Sequence, residues 1–121
     1  MHSFNARLAA DLAAVADVLP IEATRDGRWM LARHFPLPPG FNMAATRLLI
    51  GIPPLYPQAP PSAVYLAPDV RFHNRPLPNL YPGHGPTREW AWLCLWPRSW
   101  DPCRDSLVCF LDVIRAELSN H

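Results

Sequence analysis

Cys94 lies in the run Trp92-Leu93-Cys94-Leu95-Trp96, downstream of a stretch dense in proline and aromatic residues and just upstream of Trp100-Asp101-Pro102. No base stands beside it in the chain, so the chemistry it suits is that of a carrier. A cysteine is a few per cent thiolate at neutral pH, enough to accept an acyl group from another thioester and hand it on. Two histidines, His73 and His84, precede it, and His73 is a candidate to orient an incoming amine if the 73–93 segment folds over the thiol. Plainer readings stand beside these. A cysteine between Leu93 and Leu95 also fits a core position, and both histidines fit a loop exposed to solvent, His84 especially, between Gly83 and Gly85. Cys94, Cys103, Cys109 and the histidines lack the close CxxC or HxxxH pairing of a zinc site, so neither a metal nor a cofactor is expected.

The elements that must position Cys94 follow from size and patterning. At 121 residues and 13.7 kDa, half of them apolar, residues 1–121 are expected to form one folded domain. A net charge of +1 gives no general attraction to a polyanion. The tryptophans Trp90, Trp92, Trp96 and Trp100 have only Arg88, Arg98 and Arg104 nearby, short of the basic groove that a base-stacking platform needs. Packing and anchoring of the Cys94 loop is the reading preferred for them, and no nucleic-acid partner is expected. No signal peptide is recognisable and no apolar run is long enough to span a bilayer, so no membrane partner is expected. Three cysteines make an odd set without a disulfide framework, which points to the reducing cytoplasm.

The spacing of Leu8, Leu12, Val15 and Leu19 predicts a helix from about Asn5 to Val18, stopped by Pro20, with Arg7 and Asp11 off the apolar stripe. Extended segments are predicted at Trp29–Phe35, Ala45–Ile52 and Ser62–Leu66, and a weaker one at Trp90–Leu95. With no helix between them, they imply an antiparallel four-stranded meander. Among the 16 prolines, three fall within Phe35-Pro36-Leu37-Pro38-Pro39-Gly40, a stiff connection between ordered elements. A second helix is predicted with Asp101 as cap, Pro102 in its first turn and Leu107, Leu111, Ile114 and Leu118 as its buried face; Cys103 and Cys109 read as residues of that helix. The fold class is therefore α+β.

Several motifs recur in order. Tyr56-Pro57 followed by Pro60-Pro61 resembles the YPxxPP turn of ubiquitin-conjugating (E2) enzymes, Leu77-Pro78-Asn79 their HPN segment, Cys94-Leu95 their active-site CL, and Trp100-Asp101-Pro102 their WxP. The stretch FPLPPGF from Phe35 to Phe41 is similar to bacterial E2-like proteins in particular. The resemblance covers about Trp29 to Leu118. It implies a UBC-like fold, with an N-terminal helix, the meander, a crossover loop bearing the active-site cysteine and a C-terminal helix. Three departures stand out: Leu77 replaces the HPN histidine, Asn79 and Cys94 are 15 positions apart so that an insertion must fold back, and one helix only follows the cysteine.

The resemblance implies an acyltransferase in which Cys94 receives the C-terminus of a ubiquitin-like modifier from an E1-like enzyme and passes it to an amine of a protein substrate. Asn79 would be the amide that steadies the oxyanion, and the first helix, with Arg7, would face the E1-like partner; Tyr81 and Trp90 are candidates to receive an extended tail. Bacterial relatives occur in antiphage defence operons. The rival reading is an inactive E2-like scaffold that buries Cys94 and only presents a protein surface.

Overall fold

The computed structural model describes residues 6–95 and 99–120; the predicted helix start at Asn5, and Trp96 and Arg98, lie outside them. Helix α1 runs Ala6–Ala16, and its last turn closes through Val18 and Leu19, whose N–H groups donate to the Val15 carbonyl ahead of Pro20. Leu8, Val15 and Leu19 are buried as their spacing predicts. Asp11 is a correction: expected off the stripe, it is only 8% exposed. It is held there by the Tyr56 hydroxyl, which donates to Oδ2, and by Arg7 Nε at 3.1–3.2 Å.

The antiparallel sheet has six strands, not four. Strands β1 (Glu22–Ala23), β2 (Trp29–Pro36), β3 (Ala45–Gly51), β4 (Ala63–Leu66), β7 (Leu80–Pro82) and β8 (Ala91–Leu93) take the order β1-β2-β3-β4-β8-β7. A separate hairpin pairs β5 (Arg71–Phe72) with β6 (Arg75–Pro76). The sequence reading missed β1, β5, β6 and β7 because two or three residues are too few to display an alternating pattern. Both edges, β1 and β7, are among these short strands.

In β2, Met30 and Ala32 face the core, and strict alternation would send His34 inward next. A register shift between Ala32 and Phe35 reverses the phase, so that His34 stays exposed and Phe35 is buried opposite Thr46. The proline-rich turn then carries the chain to β3, closed by Leu37 N–H to the Ala44 carbonyl at 2.9 Å. Gly40 sits there at φ +99°, with Phe72 so close that a Cβ would meet its ring at 2.4 Å.

Helix α2 spans Leu107–Ser119 and buries the four predicted residues Leu107, Leu111, Ile114 and Leu118. Its cap is Ser106, whose Oγ accepts from the Cys109 N–H at 3.3 Å. The predicted cap, Asp101, instead organises an isolated turn: its carbonyl accepts from the N–H of Asp105 at 2.7 Å and its Oδ1 from that of Cys103 at 2.9 Å. Cys103 therefore precedes the helix and Cys109 lies on it; both are exposed. The inward residues of the sheet join both helices in one hydrophobic core.

Candidate functional site

The site is built at the end of the sheet where β7 and β8 pair. Leu80 lies opposite Leu93, Tyr81 opposite Trp92 and Pro82 opposite Ala91. Continuing that register by one residue sets Asn79 against Cys94, and the Cys94 N–H donates to the Asn79 carbonyl at 2.8 Å. The 15-residue separation in sequence is thus absorbed by a hairpin. Its loop is fastened by Arg47, whose Nη2 donates to the Glu89 carbonyl at 2.7 Å and whose guanidinium lies 5.1 Å from the centre of the Trp90 ring. Gly85 completes the fastening by pressing so closely on Trp90 that a Cβ would meet its carbonyl oxygen at 2.7 Å.

The Asn79 side chain closes a second link to Cys94. Its Nδ2 donates to the Cys94 carbonyl at 3.2 Å and to Glu117 Oε2, on α2, at 3.0 Å. Both neighbours are acceptors only, so the NH2 must face them. Turning the amide over would set Oδ1 against a carbonyl and a carboxylate. Asn79 Oδ1 is buried with no hydrogen-bond partner among the described residues, an omission that typically costs about 1–3 kcal/mol. The two donated bonds, one of them to a carboxylate and worth about 1.5–3 kcal/mol by itself, offset it. Leu77, Leu80 and Leu93 pack beneath in the core.

Cys94 is a free, half-buried thiol. Both polar groups of its backbone are occupied by Asn79, which leaves the sulfur as its group for chemistry. Both amide hydrogens of Asn79 are engaged as well, so the amide meets an oxyanion only by releasing one of them.

His73 is placed by a different requirement. With Asn74 it forms the two-residue turn between β5 and β6, both in the left-handed region at φ 50° and 64°, as a type I′ turn demands. Its N–H donates to the Gly40 carbonyl at 2.9 Å and its ring meets Phe72 edge-on at 4.2 Å. None of these contacts is with Cys94 or Asn79. A surface cleft lined by Phe72, His73, Arg75, Pro76, Leu77 and Pro78 connects the hairpin to the residue before Asn79. His84 is exposed in the β7–β8 loop, against the Tyr81 ring.

The tryptophans divide. Trp92 is not a core residue: alternating with the inward Ala91 and Leu93, it faces out, 36% exposed, with its ring 5.5 Å from that of Tyr81. Register extends this pair into a row across the sheet, Leu31, Leu49, Tyr65, Trp92 and Tyr81. Trp100 does anchor a loop, donating from Nε1 to the Pro57 carbonyl at 2.7 Å, so the YPxxPP and WxP motifs meet in space. Arg7 is likewise spoken for within the chain: besides Asp11, its Nη1 donates to the Pro102 carbonyl at 2.6 Å and its Nη2 to the Asp105 carbonyl.

The sequence profile of prokaryotic E2 family E matches residues 16–121, nearly the whole chain. The chain belongs to prokaryotic E2 family E. No curated protein and no solved structure matches it. Two helices and an antiparallel sheet are compatible with the UBC-like fold of E2 proteins. Among the described residues no helix is long and apolar enough to cross a membrane. Glu117 is the residue beside Asn79 that sequence reasoning overlooked. Glu117 carried a signal, since it is an acid in the last turn of α2, where the helix dipole disfavours negative charge.

Proposed function

We propose that this family E protein is a carrier enzyme in which Cys94 holds a ubiquitin-like modifier as a thioester. The observation that carries the reading is Cys94, a free and only partly buried residue fixed through both backbone polar groups by the Asn79 of the HPN-like segment. In the first step the Cys94 thiolate attacks the modifier's thioester on an E1-like enzyme. A carbon–sulfur bond to Cys94 forms, the old one breaks, and the E1 thiolate departs. In the second step a substrate amine attacks the same carbonyl, the carbon–nitrogen bond forms, Cys94 leaves as thiolate and the amine gives up a proton. Asn79 orients the thiol in the resting state, and with Glu117 still holding one amide hydrogen, the N–H released from the Cys94 carbonyl is the donor we propose for the oxyanion. His73 belongs to the cleft leading towards Asn79, and its proposed role is to meet the incoming substrate segment. Cytoplasmic partners and a place in antiphage defence are extensions of this reading.

The test combines the purified protein with its E1-like enzyme, ATP and the ubiquitin-like modifier. A reductant-sensitive adduct is expected with the wild type, none with Cys94→Ala, and a reductant-resistant ester or no adduct with Cys94→Ser. A thioester persisting in Cys94→Ser would refute the assignment. With demonstrably active partners and no adduct at all, the scaffold reading would replace it.

A further inference from the structure

The contact between Glu117 and Asn79 joins helix α2 to the segment bearing the thiol, and no motif of the sequence announces it. Glu117 Oε2 accepts one amide hydrogen of Asn79 at 3.0 Å while the other goes to the Cys94 carbonyl at 3.2 Å. The amide is thus a bridge with one foot on α2 and one on the residue that bears the thiol. Its third polar atom, Oδ1, is buried and has no partner among the described residues, so nothing on that side fixes the amide plane. The orientation is set by the two acceptors alone. Of these, the Cys94 carbonyl moves with the segment being positioned, whereas Glu117 stands on a helix anchored in the core by Ile114 and Leu118. The fixed reference is the carboxylate.

We propose that Glu117 is a positioning residue for Cys94, acting through the Asn79 amide to hold the thiol-bearing segment against α2. This rests on the carrier reading for its consequence in transfer, but not for its geometry. Removing the carboxylate frees the amide to rotate, and the Cys94 carbonyl then loses its partner for part of the time. The bond of the Cys94 N–H to the Asn79 carbonyl loosens with it. A glutamine keeps an acceptor oxygen at the same reach, so Glu117→Gln preserves the bridge and Glu117→Ala does not.

The experiment uses the full chain and reads two quantities. Native-state hydrogen exchange of the Cys94 amide is measured at a temperature where circular dichroism shows each variant folded. Single-turnover transfer from Cys94 to free lysine is measured alongside it. Glu117→Ala is expected to speed exchange at Cys94 and to slow transfer, each by roughly tenfold, with exchange across β2 and β3 unchanged. Glu117→Gln is expected to stay within about threefold of wild type in both. In an Asn79→Ala background, Glu117→Ala should add nothing, because the bridge is already gone. A Glu117→Ala effect of equal size with and without Asn79, or no change in Cys94 exchange, overturns the proposal. A general loosening of the sheet would also overturn it, since that marks a merely structural role. If the wild type forms no thioester with active partners, the carrier reading falls while the exchange results still decide the bridge.

Discussion

Leu77 stands where the E2 pattern it resembles carries a histidine, and the fold gives the exchange a physical meaning. Its side chain is 3% exposed and belongs to the core beneath the Asn79–Cys94 pair. The segment before Asn79 is therefore held by apolar packing, with no imidazole hydrogen bond available to shape it. Restoring the family residue places a polar ring in a site built for a hydrocarbon. Leu77→His is expected to lower unfolding stability by about 2–3 kcal/mol in urea titrations. A loss under about 0.5 kcal/mol would mean that the pocket accepts a hydrogen-bonded imidazole. At this scale the sequence was informative about identities and silent about partners. Residue types and motif order singled out Cys94 and Asn79, and the fold sets the two side by side. That Asn79 spends both amide hydrogens on Cys94 and Glu117 depends on a hairpin register and a helix face, neither of which is local in the chain.

The elements show where local signals compete. Asp101-Pro102 and Ser106-Leu107 both have the chemistry of a helix start, and the chain uses each of them. Asp101 caps a single turn that Asp105 closes by returning its carboxylate to the Asp101 N–H at 2.7 Å. Ser106, extended at φ −145° and ψ 176°, then begins α2. Ser106→Ala is expected to cost about 1 kcal/mol of stability by removing the acceptor for the Cys109 N–H. Asp101→Ala should leave helix content by circular dichroism unchanged. The reverse outcome, helix loss in the aspartate variant alone, would reassign the cap. The buried faces of both helices and the three longest strands were legible because each has enough residues to show its period. Phe35 was placed correctly within its strand, but the register shift that turns it inward left no mark in the pattern of residue types.

For the molecule as a whole, the Arg7–Asp11–Tyr56 cluster ties three distant parts of the chain together: α1, the Pro-rich turn after β3, and the turn that precedes α2. Tyr56 is 2% exposed. Burial, then the bond it donates to Asp11, push its phenol well above the ordinary value of about 10. The folded state thus keeps this proton after the unfolded chain has lost it. The contribution is complete below pH 10 and declines as pH rises through 10 towards the raised folded value, by at most about 1.4 kcal/mol per pH unit. Tyr56→Phe removes that decline. Between pH 10 and 11.5 the wild type should lose stability more steeply than the variant in urea titrations, and equal slopes would show that the phenol ionises freely while folded. The partnership was invisible in sequence, because a periodicity argument assigns every charged residue to the outside. The borders of the sheet carry a different consequence. Strand β1 has two residues and β7 three, the last of them Pro82, which has no N–H to offer. Strand β1 covers β2 only at Met30 and Leu31, and the rest of that margin is broken by the register shift between Ala32 and Phe35 and ends at Pro36. Among the described residues both margins are thereby blunted against fibril-like growth, and the side chains on the faces of the sheet are the larger surface for a neighbour to engage.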